Sequence, residues 1–133
     1  MQPAKILLGA FAYFVSSFLI QGILAAIIAS DYFHNISVFR AEPIFSLSMG
    51  STFLSGIGFA ALFPTTHFTG TLILKGLKYG LFIALVTVPF VALDLPGRFA
   101  IPTVEKWILI QGLLGVLHLC VAGILTSLVY RNN

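Results

Sequence analysis

Four stretches of the chain carry almost nothing but apolar side chains: Ile6–Ile28, Ile44–Phe63, Leu72–Leu93 and Trp107–Val129. Each reaches the length of about 20 residues that a helix needs to cross roughly 30 Å of hydrocarbon. A strand of a membrane barrel instead alternates apolar and polar positions over about ten residues, and runs such as "LGAFAYFVSSFLIQGILAAIIAS" do not alternate. With no water in the bilayer core, a helix satisfies its own backbone hydrogen bonds. The pattern therefore predicts an all-α polytopic membrane protein. The expected architecture is an antiparallel up-and-down four-helix bundle in a single transmembrane domain over residues 1–133, with helices at about 6–28, 44–63, 72–93 and 107–129.

Composition agrees with this reading. The 133 residues are 59% hydrophobic and 8% charged, with a mean hydropathy of +1.05. A soluble domain this small would need polar side chains to cover its surface. The "MQPAK" start leads into an apolar core longer than the 7–15 residues of a secretory signal, with no clear cleavage site after it, so a retained anchor is expected.

The seven Lys and Arg do not cluster, which argues against nucleic acid as the target of the net +3 charge. Sorting them by connection is more informative. Lys5, Lys75, Lys78 and Arg131 fall on one side, and Arg40, Arg98 and Lys106 on the other with all four acids, Asp31, Glu42, Asp94 and Glu105. The purely basic side is expected to be cytoplasmic, with both termini there. "PTTHFTG" (Pro64–Gly70) is short and predicts the second and third helices as antiparallel neighbours. The outer connections, "SDYFHNISVFRAEP" and "DLPGRFAIPTVEK", are longer, and the second carries the turn signal Pro96-Gly97.

Polar residues inside the apolar runs raise the functional question. Two of the three glutamines occur in near-identical settings, "LIQGIL" at 19–24 and "LIQGLL" at 109–114. Both copies fall in the outer half of antiparallel helices, so they are not an inverted repeat. At 1.5 Å rise per residue Gln21 lies roughly 10 Å deep, Gln111 roughly 6 Å and His118 roughly 16 Å. Helical spacing places Ser17, Gln21 and Ala25 on one face of the first helix, and Gln111, Gly115, His118 and Ala122 on one face of the fourth. An amide in lipid needs a partner, so the two glutamines are expected to tie the first helix to the fourth. His118 is expected as a neutral imidazole bonded to Ser17, Gln21 or Ser55. Two readings of it stand, a satisfied core histidine and a ligand contact.

Small residues at four-residue spacing point to close helix crossings: Gly76, Gly80 and Ala84 on the third helix, and Ser46–Gly50, Ser51–Ser55 and Gly56–Ala60 on the second; Gly112 and Gly115, three apart, are expected to pack on the fourth. They serve packing within one chain or an interface with a partner. Pro89 frees the carbonyl of Leu85, which Thr87 is expected to help satisfy.

Other chemistry is missing. His34, His67 and His118 belong to an outer loop, an inner loop and mid-membrane, so they offer no metal site. No carboxylate lies mid-membrane, and no G-x-S-x-G, H-E-x-x-H or Walker A pattern occurs. Nothing in the sequence indicates a cofactor, and Cys120 stands alone as a packed apolar residue.

"AKILLGAF" opening the first helix, "ILKGLKYGLF" on the third and the aromatic-basic end "LVYRN" give the whole chain a layout that resembles small, uncharacterised four-helix membrane proteins of bacteria. The resemblance implies the architecture and an inner-membrane location, and no functional residue. Three functions are carried forward. The first is a non-enzymatic accessory or self-associating bundle whose partners are membrane lipids, copies of itself or another membrane protein. The second is a binding or transport module for a lipid-like or quinone-like molecule, with a pocket of Ser17, Gln21, Ser55, Gln111 and His118. The third is a membrane enzyme acting through His118 or the outer acids.

Overall fold

The computed structural model describes residues 2–40 and 42–131, and all regular structure among them is helical. Four helices are long and apolar enough to span a membrane: α1 (Pro3–His34), α2 (Phe45–Thr65), α3 (Leu72–Arg98) and α4 (Val104–Val129). Each grows from one apolar run of the sequence, which makes the chain a multi-pass membrane protein. Two of them run well past the expected ends, for local reasons.

In α1 the backbone continues through "SDYFH", expected as loop, after a break at Ala29 where φ and ψ reach −140° and 20°. The break turns Tyr32 onto the start of α4. There it joins Ala29, Ile36, Ile101 and Trp107 in a buried apolar cluster. In α3 the turn signal Pro96-Gly97 fails to end the helix. Phe90–Asp94 is π-helical, and the Leu95 N–H donates to the Phe90 carbonyl. Pro96 then falls in the first turn of the closing segment Leu95–Arg98, where a missing N–H costs nothing. Because Pro96 has no N–H to continue the ladder, the Val91 carbonyl is open to another donor. Trp107 Nε1 takes it at 2.9 Å.

Glycine decides which helices approach most closely. A Cβ on Gly76 would lie 2.5 Å from the Gly123 carbonyl oxygen and from Ile124 Cα, and one on Gly80 would lie 2.8 Å from Cys120 Cα. α3 and α4 therefore meet backbone to backbone in antiparallel sense. Likewise a Cβ on Gly56 would stand 2.8 Å from the Ala10 carbonyl oxygen, which seats α2 against α1. Two of the glycines expected at crossings behave otherwise. A Cβ on Gly112 would meet nothing within 4 Å, and Gly123 makes the crossing in its place. Gly115 faces Val88 of α3, at 3.0 Å from its would-be Cβ, and not α1.

The resulting order is α2 on α1, α1 on α4 and α4 on α3. α2 and α3, expected as packed neighbours, meet chiefly at Tyr79, whose hydroxyl donates to the Phe59 carbonyl at 2.5 Å and whose ring packs on Phe59 and Phe63. Gly56 and Ala60 of α2 are turned to α1, and Gly76 and Gly80 of α3 to α4, and the side chains left between α2 and α3 include bulky ones such as Leu62 and Val86. The loop into α4 holds Thr103 at φ 52°, in the left-handed region a β-branched residue avoids. Tyr32 braces it, its hydroxyl lying 2.7 Å from the Pro102 carbonyl oxygen and 3.2 Å from that of Thr103. Lys5, Lys75, Tyr130 and Arg131 gather at one end, with Lys5 Nζ 5.8 Å from the centre of the Tyr130 ring. The helical ends bearing Asp31, Asp94 and Glu105 lie at the other.

Gly80→Val is expected to lower stability by about 1–3 kcal/mol through overpacking, read as a drop in the thermal midpoint in detergent. Gly112→Ala, with open space for its methyl, is expected to leave that midpoint unchanged or slightly raised. Trp107→Phe keeps an aromatic ring in its cluster but deprives the Val91 carbonyl of its donor. Its expected cost is ~0.6–1.7 kcal/mol, with faster amide exchange confined to the end of α3.

Candidate functional site

Since α2 and α3 stay apart beyond Tyr79, the four helices enclose a cavity of about 490 Å³ that opens between them. α4 contributes Gln111, Gly115, His118 and Leu119, and α1 contributes Tyr13 and Gln21. Ser55, Phe59 and Leu62 line it from α2, and Ile83, Val86 and Thr87 from α3. Four of the five residues expected in a pocket, Gln21, Ser55, Gln111 and His118, thus share one cavity. Ser17 does not line it and is buried elsewhere in the packing of α1.

His118 forms the polar point of the floor. Its side chain is 2% exposed, and its ring stands edge-on to Tyr13 with centroids 4.7 Å apart and planes at 70°. Tyr13 packs in turn on Phe59, at 5.1 Å. The expected partners Ser17, Gln21 and Ser55 are not bonded to it. Nε2 is buried and has no hydrogen-bond partner. A nitrogen left so in an apolar setting costs roughly 1–3 kcal/mol.

The glutamine tie between α1 and α4 is not formed. Gln21 and Gln111 make no hydrogen bond among the described residues, and both amides sit on the cavity wall, Gln21 exposed and Gln111 half-buried. The cause lies in α1, where Phe18–Leu24 is π-helical. An i→i+5 ladder breaks the rule that residues four apart share a face, so Ser17 and Ala25 are buried while Gln21 is not. Gln111 lies seven residues from His118, about 10 Å up the same helix. Thr87, expected to relieve the Leu85 carbonyl, instead donates back to the Ile83 carbonyl at 3.0 Å.

The cavity therefore has a polar floor at His118, a polar rim at the two amides, and apolar walls between them. None of its lining side chains is an acid, a lysine or an arginine, so it suits an uncharged molecule with hydrogen-bonding groups. A larger hollow of about 840 Å³, lined by the end of α1, the connection after it and the first turn of α2 near Phe33, Arg40 and Leu47, contains no buried polar side chain. Among the described residues no three His, Cys, Asp or Glu side chains come together in a way that could hold a metal ion.

Sequence reasoning missed Tyr13, Phe59 and Tyr79, which shape and close the floor. Tyr13 and Tyr79 carried the same signal as the glutamines, a polar group inside an apolar run, hidden by the ring beneath it. Comparison of the chain with known protein families, with curated proteins and with solved structures finds no match.

Proposed function

We propose that the protein is an antiparallel four-helix transmembrane bundle of a bacterial inner membrane, with its basic end and both termini in the cytoplasm. In this reading it binds or passes an uncharged lipid-like or quinone-like molecule in the cleft above His118. The observation that carries it is the unpartnered Nε2 of His118 at the floor of a cavity open between α2 and α3. A neutral imidazole offers that atom as donor or acceptor, and a ligand oxygen fits either role. Gln21 and Gln111 serve the ligand's far end, and the gap between α2 and α3 admits an apolar tail from the bilayer. Positive-inside sorting of Lys5, Lys75, Lys78 and Arg131 supports the orientation.

A second reading rests on a different observation. Among the residues of α2 from Phe45 to Ser55 nearly every side chain is exposed, and a Cβ on Gly50 would meet nothing within 4 Å. This small-residue face is unused within the chain and suits self-association or a membrane-protein partner.

Native mass spectrometry of the protein extracted in mild detergent separates the two. For the ligand reading the expected spectrum shows mass above integer multiples of the 14.4 kDa chain. His118→Ala is expected to weaken retention of that added mass roughly fivefold, the weight of one buried hydrogen bond, while Ser17→Ala leaves it unchanged. Bare multiples that survive activation, identical in wild type and His118→Ala, would overturn the ligand reading and favour self-association through α2.

A further inference from the structure

A third cavity, of about 300 Å³, lies at the opposite end of the molecule from the glutamine rim. It forms where α4 ends against the start of α3 and the end of α2. Two cationic side chains line it from separate elements, half-buried Lys75 on α3 and Arg131 just beyond α4. Neither has a carboxylate partner among the described residues, and all four acids of the chain are placed at or beyond the far ends of the helices. The hydroxyls of the cavity are already committed. Ser127 donates to the Leu72 carbonyl at 2.7 Å, Tyr130 to that of Ala60 at 3.1 Å and Thr66 to that of Phe63 at 2.6 Å. The donors left for an occupant are therefore the ammonium and the guanidinium, and two positive charges with no counter-charge among the described residues call for an anion.

The remaining lining decides which anion. Phe63, Phe68 and Leu72 place apolar surface beside the two cations, at helix ends where a bilayer's headgroup layer lies. A free ion gains nothing from such surface, whereas a headgroup that continues into acyl chains does. We propose that this cavity is a site for the phosphate of an anionic phospholipid, held between Lys75 and Arg131 with its glycerol and first methylenes against Phe63 and Leu72. It is separate from the His118 cleft and does not depend on that cleft having a ligand. Arginine supplies the planar fork that matches phosphate oxygens, and lysine a point charge.

The test is native mass spectrometry of the intact protein in detergent, titrated with phosphatidylglycerol, with zwitterionic phosphatidylcholine, and with phosphatidylglycerol in the presence of excess inorganic phosphate. Phosphatidylglycerol is expected to be retained more strongly than phosphatidylcholine and to resist inorganic phosphate. Retention is expected to fall about fivefold for each charge removed in Lys75→Gln and Arg131→Gln, the weight of one basic side chain near an anionic leaflet. Lys78→Gln is the control, since Lys78 Nζ is turned to the Thr69 carbonyl at 3.0 Å and does not line the cavity. Should Lys75→Gln fail to fold, Arg131→Gln alone, outside any helix, carries the test. Equal retention of the two lipids, or of phosphatidylglycerol by wild type and Arg131→Gln, would overturn the proposal. Displacement by inorganic phosphate would overturn the lipid assignment and leave a free-anion site.

Discussion

The constraint on which this structure depends is the fate of backbone carbonyls in a medium without water. A helical carbonyl has two lone pairs and its ladder uses one, so the second can serve as an acceptor for a side chain reaching over from a neighbour. Tyr79 to Phe59 and Ser127 to Leu72 take this form, while Trp107 to Val91 and Tyr130 to Ala60 supply carbonyls that a proline further along the helix leaves short of a donor, and Tyr32 to Pro102 ties down the loop before α4. No side chain bonds to a side chain of another helix among the described residues. Aromatic donors suit the task because one ring fills apolar space and delivers a single polar atom at its tip. For Val91 and Ala60 the residue that would continue the ladder is a proline, Pro96 or Pro64, which has no N–H to give.

Packing follows from where glycine removes bulk. Gly76, Gly80 and Gly123 bring α3 and α4 into backbone contact, and Gly56 with Ala10 does the same for α1 and α2. With Gly56 and Ala60 spent on α1 and Gly76 and Gly80 on α4, α2 and α3 are bridged chiefly by Tyr79. The cleft is thus the remainder of two tight crossings and needs no separate explanation. His118 and the two amides are polar because they face that remainder.

Much of this was legible in the sequence and some was not. The number and placing of the helices could be read because an apolar run of bilayer length has few other interpretations. Their ends could not, because Tyr32 and Pro96 lie in segments that look like loops until a backbone break or a π-segment carries the helix through. Gln21, Ser55, Gln111 and His118 could be grouped by depth. Their bonding could not be foreseen, since a face count at 3.6 residues per turn does not know that Phe18–Leu24 takes the wider ladder. Glycine spacing announced close crossings without naming the partner. Hence Gly115, on the face of Gln111 and His118, lies against Val88 of α3, and a side chain on Gly112 would touch nothing.

The gap between α2 and α3 faces sideways, into the plane of the membrane. A molecule reaching His118 by that route never has to leave the hydrocarbon, so its aqueous solubility is irrelevant to occupancy. The relevant concentration is its mole fraction among the surrounding lipids, which buffer volume does not change. For a ligand taking that route, diluting the membranes in buffer would leave occupancy unchanged, and adding lipid would lower it.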